Sequence, residues 1–371
     1  MGIENDWSGK VVEKARISGI QLFLLLTGFL YGSTVILNPA LGAKNDAWLA
    51  IILGGVGGAL LMGVYVSIAL LNPSRTLVEI LRDRFGRFVG NAVSILYIWY
   101  FIHLASLVFR NFAEFMVTVT FPEIPMIVII VIFSVILVYG VNSGVEVMGR
   151  LSELFMPVVP VVVLIISLSL ITTRDFTAFL PVLENGMAPV LKAAFGFITF
   201  PFGETIAFLM LFPHLNQKGN LKKIAALSAL FLVVLCLVIF MRDISVLGSG
   251  LMHRATFIPH LTSLLIPGLN VEPLVDINLL IGGGIKISVC IYAAAKALSQ
   301  VLGISDYRKL TTAITTFCVV LSIWVYENVL EMFSWAEKFW SYYSIPFQVV
   351  IPLILLLLSL KRRLKPSKSK E

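Results

Sequence analysis

Apolar runs of about 20 residues recur along the whole chain, separated by short polar connections. A helix needs roughly 20 mostly apolar residues to cross a bilayer, so this pattern predicts about ten transmembrane spans. Their expected limits are 17–38, 48–71, 88–119, 126–141, 151–172, 187–212, 221–247, 271–298, 310–326 and 342–360. No connection is polar enough to form a soluble domain. The chain therefore reads as one all-α integral membrane domain over 1–371: a polar segment at 1–16, a ten-helix core at 17–360 and a basic tail at 361–371. The first run has no small-residue cleavage site and is expected to stay as span 1.

Charge sorts the connections into two sides. Nineteen Lys and Arg fall on one side, and only Lys44, Arg174, Arg254 and Lys338 on the other. The excess marks the cytoplasmic side, which places both termini there. Within the first cytoplasmic connection, Leu77, Ile80, Leu81, Phe85 and Phe88 keep helical spacing, which predicts a short amphipathic helix at the membrane surface. The outer connection at 248–270 is the longest and could close over an external vestibule.

Composition agrees with a membrane protein: 58% of residues are hydrophobic and 13% are charged, against about 25% charged in soluble domains. The net charge of +7 does not indicate nucleic acid, because the basic residues alternate with spans instead of forming one face. Cys236, Cys290 and Cys318 sit in apolar stretches, and the four histidines are scattered, so neither a metal site nor a disulfide framework is expected. There is no nucleophile elbow or phosphate loop, and Gly282-Gly-Gly-Ile lacks the strand–helix setting of a nucleotide fingerprint. Neither an enzyme nor a cofactor is expected.

Two apolar runs carry helix-breaking residues. Span 1 holds Gly28-Phe-Leu-Tyr-Gly32-Ser33-Thr34, followed by Asn38-Pro39; span 6 holds Gly196-Phe-Ile-Thr199-Phe-Pro201-Phe-Gly203-Glu204-Thr205. Proline removes a backbone donor and glycine weakens the helix. Freed backbone groups in hydrocarbon persist only beside protein or a water-filled cavity. If spans 1–5 and 6–10 are repeats, the breaks fall at corresponding positions, which is a sequence pointer to a transporter-type binding site.

At these residues the chain resembles the amino acid–polyamine–organocation transporters. More narrowly it is similar to the B subunits of spore germinant receptors, a branch of that superfamily. Ile17-Ser-Gly-Ile-Gln21, Pro73-Ser-Arg-Thr-Leu-Val-Glu79, Leu96-Tyr97-Ile-Trp-Tyr100, Arg110-Asn-Phe-Ala-Glu114, Gly144-Val-Glu-Val-Met-Gly-Arg150, Pro181-Val-Leu-Glu184 and Gly303-Ile-Ser-Asp-Tyr307-Arg308 carry the likeness over nearly the whole chain. The resemblance implies a LeuT-like fold with 5+5 inverted repeats. It also implies a spore inner membrane, an A subunit and a C lipoprotein as partners, and a nutrient ligand, usually an amino acid. A proton-coupled amino acid transporter on the same scaffold is the alternative.

The candidate ligand site comprises Gly28, Gly32, Ser33 and Thr34 in span 1, Tyr97 in span 3, Thr199, Phe202, Gly203 and Glu204 in span 6, and Ser288 in span 8. Amides near Gly32–Thr34 would hold a ligand carboxylate, and carbonyls near Thr199–Gly203 with Glu204 would hold its amine. Ionisable residues inside spans are functional candidates. Glu204 could take the amine or a coupling proton. Lys286 could replace the sodium ion that relatives place between spans 1 and 8, or pair with Glu204 or Asp276. Arg110 with Glu114, and Arg242 with Asp243, read as structural or gating pairs; Glu146, Arg150 and Glu153 read as an anchor at the entrance of span 5.

Overall fold

The computed structural model describes residues 16–252, 254–268 and 270–364. The expected cytoplasmic segment before residue 16, His253 and the basic tail beyond 364 lie outside the described residues. Fifteen α-helices follow in order: α1 (Gly19–Tyr31), α2 (Ala47–Leu71), α3 (Leu77–Phe85), α4 (Arg87–Phe115), α5 (Met126–Asn142), α6 (Val145–Phe155), α7 (Val158–Ser169), α8 (Met187–Phe197), α9 (Leu221–Met252), α10 (Ile258–Ser263), α11 (Glu272–Leu302), α12 (Arg308–Trp324), α13 (Val329–Lys338), α14 (Trp340–Ile345) and α15 (Ile351–Leu364). Among the described residues the only β-type contact is a bridge between Ile17 and Leu215.

Among the described residues seven helical segments are long and apolar enough to cross a membrane, and an eighth is the bent pair α12–α13, which turns by 101°. The shorter apolar helices α1 and α5 complete the expected set. The burial of their apolar stretches separates inner from outer spans. It is 72% in spans 3 and 8 and 83% in span 6, but 28% in span 10, so the first three form the centre and span 10 faces lipid. Leu60, Val135, Leu168 and Leu357 are exposed on the outer helices, as expected where lipid is the solvent.

Span 1 is shorter than its apolar run. Ser18 and Gln21 form a capping box that starts α1, and the helix stops at Gly32. Beyond it the bonds tighten to i→i+3: the Thr34 amide donates to Tyr31 O at 2.9 Å and the Ile36 amide to Ser33 O at 3.1 Å. The Thr34 hydroxyl donates back to Leu30 O at 2.7 Å. Pro39 then opens a 3₁₀ segment to Asp46, capped by Asn38. The helix expected to reach residue 38 thus ends at Tyr31, because local side-chain bonds and Pro39 compete with the α-helical ladder.

Span 6 breaks as its composition predicts. α8 ends at Phe197, a π-turn covers Ile198–Phe202, and a 3₁₀ segment runs over Gly203–Met210. Pro201 offers no amide, and Phe200 leaves helical geometry at φ −133°, ψ 110°. Spans 1 and 6 are therefore broken at corresponding places in a ten-span arrangement of the LeuT type.

The amphipathic helix forms as α3, started by a capping box between Thr76 and Glu79 and ended at Gly86, whose φ of +79° suits glycine. Its apolar face, Leu77, Val78, Ile80 and Leu81, is buried against the bundle rather than laid on lipid; Phe88 lies outside it and is exposed. Two elements were not apparent in the run lengths. Span 5 begins earlier, at Val145, and is interrupted at Pro157. α13 folds across the end of span 9 where only a connector was expected.

Candidate functional site

Lys286 links the two breaks. A Cβ built on Gly32 would stand 2.9 Å from both Lys286 Cβ and Gly282 O, so span 1 can approach α11 this closely only because residue 32 is glycine. The Lys286 side chain continues past Gly32 and places Nζ 2.5 Å from Glu204 Oε2, with both side chains fully buried. The two groups form an ion pair, and among the described residues no other group hydrogen-bonds Lys286 Nζ or either Glu204 oxygen. The Phe200 ring lies under the ammonium at 4.4 Å and Phe29 at 5.4 Å, which supplies cation–π attraction to a charge removed from water.

Glu204 and Phe200 form part of the wall of a cavity of about 430 Å³. The rest of the lining comes chiefly from Asn38 and Pro39 after the span 1 break, Asn111 in span 3, Met252, Ala255, Thr256 and Ile258, and the aromatic cluster Tyr326, Phe333, Trp335 and Trp340 around α13. The cavity reaches the surface, and its lining includes Lys44 and Glu337. Three of its polar side chains have buried atoms without a hydrogen bond among the described residues: Asn111 Oδ1, Trp340 Nε1 and Glu204 Oε1, while Glu204 Oε2 meets only the Lys286 ammonium. Buried polar atoms are nearly always paired, so this clustering of atoms without hydrogen bonds makes the cavity the candidate ligand site. Acceptors at Glu204 and Asn111 suit an ammonium or hydroxyls, and Trp340 Nε1 suits an acceptor.

On the opposite face the same helices are closed. The Ile17 amide donates to His214 O at 3.0 Å and the Asn216 amide to Ile17 O at 3.1 Å. His214 Nε2 lies 2.9 Å from the Tyr292 hydroxyl, and Arg82 donates to Gln300 O at 2.9 Å. The Arg16 amide and Gln21 engage Glu146 at 2.8 Å and Glu153 at 3.1 Å, so that acidic pair anchors the start of span 1.

The span 6 break is stitched by residues that the sequence reading did not single out. Gln348 in span 10 is fully buried. Its Nε2 donates to Thr199 O at 3.0 Å and to the Tyr100 hydroxyl at 2.8 Å. Tyr65 in span 2 sets its hydroxyl 3.0 Å from Gly203 O and 2.7 Å from Gln348 O. Two of the carbonyls expected to hold an amine, Thr199 O and Gly203 O, thus accept from protein donors.

The remaining candidates divide accordingly. Gly28 packs against Ile285 and Met156, and Gly203 packs against Gln348. The Gly32 and Thr34 amides are committed to Gly28 O and Tyr31 O, which leaves the Ser33 hydroxyl buried and without a partner among the described residues. The Tyr97 hydroxyl donates to Phe347 O at 2.7 Å, and Thr199 Oγ1 bonds Gly196 O and Ser341. Phe202 faces span 2 rather than the cavity, filling the space left by Gly58; Phe200 takes the place expected of it. Ser288 lies two positions after Lys286, about 200° around the helix, on the other side of α11. Asn111, Trp340 and Gln348 were missed because an isolated amide or indole in an apolar run has no distinguishing spacing. Arg110 with Glu114 and Arg242 with Asp243 are buried pairs at 2.7 Å.

A ten-span bundle broken at spans 1 and 6, with an open cavity meeting the second break, defines a membrane protein of transporter fold. Solved structures agree. A sodium-coupled sialic acid symporter in a substrate-bound outward-open state superposes with TM-score 0.69 at 12% identity, over 91% of this chain and 80% of that one. MhsT in complex with L-phenylalanine gives 0.63 at 11% identity, over 93% and 99%. The family model described as Spore germination protein matches residues 16–330, and the chain belongs to that family. Spore germination protein KB of Bacillus subtilis is 31% identical over 97% of this chain and 98% of its own length. Spore germination protein XB of Bacillus anthracis is 24% identical over 54% and 58%. The fold is that of transporters.

Proposed function

We propose that this protein is the nutrient-sensing subunit of a spore germinant receptor and binds a small amino acid or similar ligand between the broken centres of spans 1 and 6. The observation that carries the reading is the cavity of about 430 Å³ that meets Glu204 at the span 6 break, a buried carboxylate paired only with Lys286 and with no further hydrogen-bond donor among the described residues. An ammonium on the ligand would satisfy Glu204 and Asn111, and its carboxylate or carbonyl would accept from Trp340. The cavity then faces outward, both termini are cytoplasmic, and the chain acts as a single domain in the spore inner membrane. Ligand shifts the bundle only if it binds one conformation more tightly than the other, and an A subunit with a C lipoprotein would read that shift.

A proton-coupled amino acid transporter is the second reading, favoured by the Lys286–Glu204 pair, because protonating Glu204 would free the ammonium. Purified protein in liposomes with radiolabelled amino acids and an inward proton gradient separates the two. Saturable binding near one ligand per protein supports the sensor. Accumulation far beyond that ratio, collapsed by dissipating the gradient, establishes a transporter, and neither signal across the panel removes the amino acid ligand.

A further inference from the structure

A second concavity, of about 380 Å³, lies on the α3 face where spans 2 and 10 end. It is lined chiefly by Leu71, Asn72, Arg75, Arg84, Ser359 and Arg362. Three guanidiniums converge there on one carboxylate oxygen: Asp83 Oδ2 is 2.5 Å from Arg362, 2.8 Å from Arg75 and 3.6 Å from Arg84. One negative charge faces three positive ones, and cations gathered on a single oxygen repel one another unless another anion joins them.

The middle of the cluster is built rather than merely exposed. The Arg84 side chain is 8% exposed and donates from Nη2 to Asn72 Oδ1 at 2.5 Å, yet its buried Nε has no partner among the described residues. Asn72 in turn donates to Ser359 Oγ at 3.1 Å, which leaves the Ser359 proton for an acceptor. Arg75 and Arg362 are half-exposed at the rim. Leu357 and Leu360 of α15 are exposed on the side of the helix turned away from Ser359 and Arg362, so the basic concavity lies at the end of a span whose outer face meets lipid.

We infer that this concavity binds a phosphate group, held by Arg75, Arg84 and Arg362, and that its source is the headgroup of an anionic phospholipid. Planar guanidiniums match phosphate oxygens bidentately, and basic pockets between spans on a cytoplasmic side suit anionic headgroups. The occupant would fasten α3, which caps the closed face, to the end of span 10. This site is independent of the central cavity and of what that cavity binds.

Native mass spectrometry of the full chain in neutral detergent tests the inference, with phosphatidylglycerol, phosphatidylcholine or inorganic phosphate added as probes. Wild type should retain one phosphatidylglycerol at least about tenfold more tightly than phosphatidylcholine. Arg75→Gln/Arg362→Gln, at two half-exposed positions that leave the fold intact, should lose about tenfold or more of that affinity. Arg84→Lys should lose part of it. Displacement of the lipid by inorganic phosphate supports a phosphate site that also accepts the free ion, and resistance to displacement supports the lipid as its ligand. Equal retention of the two lipids, or phosphatidylglycerol affinity unchanged in the double variant, overturns the inference.

Discussion

Lys286 and Glu204 stand 2.5 Å apart at the centre of the bundle, each fully buried, and among the described residues no third group hydrogen-bonds either of them to share the cost of the charges. Removing one partner of such a pair leaves an uncompensated buried charge, at about 3–5 kcal/mol. Glu204→Gln and Lys286→Met should each destabilise strongly, whereas the double variant should recover most of the loss. Melting temperatures of the four proteins in detergent form the cycle; additive losses would show that the two groups do not act as a pair.

Gln348 makes the span 6 break tolerable. Truncation to Ala removes donors to Thr199 O and Tyr100 and opens a void. An unsatisfied buried carbonyl costs about 1–3 kcal/mol, so Gln348→Ala should lower stability by at least that. Tyr65→Phe, which loses only the hydroxyl bonds to Gly203 and Gln348, should cost less. If thermal unfolding places Tyr65→Phe below Gln348→Ala, the assignment of the hub to Gln348 fails.

The spans and their two breaks were legible in the sequence because bilayer thickness and proline chemistry act locally. Glu204 and Lys286 were legible as charges in apolar runs. What meets what was not. Gln348 reaches Thr199 across 149 residues, and no local pattern marks such a pair. Phe202 and Phe200 flank the same proline, and only the break geometry decides that Phe200 lines the cavity while Phe202 packs into span 2. The α13 turn escaped for a similar reason, since its polar residues read as a connector until its aromatics are seen to wall the cavity.

Asn111 and Trp340 should contribute to ligand affinity without setting the fold. Asn111→Leu leaves one acceptor fewer in the cavity, and Trp340→Phe removes the indole donor while keeping an aromatic wall. Each should weaken binding of the cognate nutrient by about five- to tenfold, measured by equilibrium binding on liposomes. Unchanged affinity in both would move the ligand away from this cavity.

Glycine is required at position 32 by contact rather than by flexibility. An added Cβ would press on the Gly282 carbonyl at 2.9 Å, which is backbone and cannot yield cheaply. Gly32→Ala should therefore cost about 1–3 kcal/mol, and Gly32→Leu should not yield monodisperse protein. Gly63, with nothing within 4 Å of a built Cβ, is the control, and Gly63→Ala should match or exceed wild type. Size-exclusion profiles and melting temperatures compare them; a stable Gly32→Leu would mean that span 1 is free to move away from α11.

Asp83 gives the α3 face a dependence on pH whose sign follows from its surroundings. Partial burial opposes its ionisation, but the Arg362 hydrogen bond and the charges of Arg75 and Arg84 outweigh that effect and hold its carboxyl below the ordinary value of 3.8. A carboxyl depressed on folding stabilises fully above its unfolded pKa, and the contribution disappears as pH falls through the lower folded value. Asp83→Asn should therefore lower the melting temperature by about 1–3 °C at pH 7 and at pH 5. The gap should close towards pH 3, where wild type has begun to protonate the same group. Because the variant keeps the side-chain shape, a gap that is constant down to pH 3 would assign the effect of Asp83 to packing or neutral hydrogen bonding, and the link between α3 and span 10 would then not depend on charge.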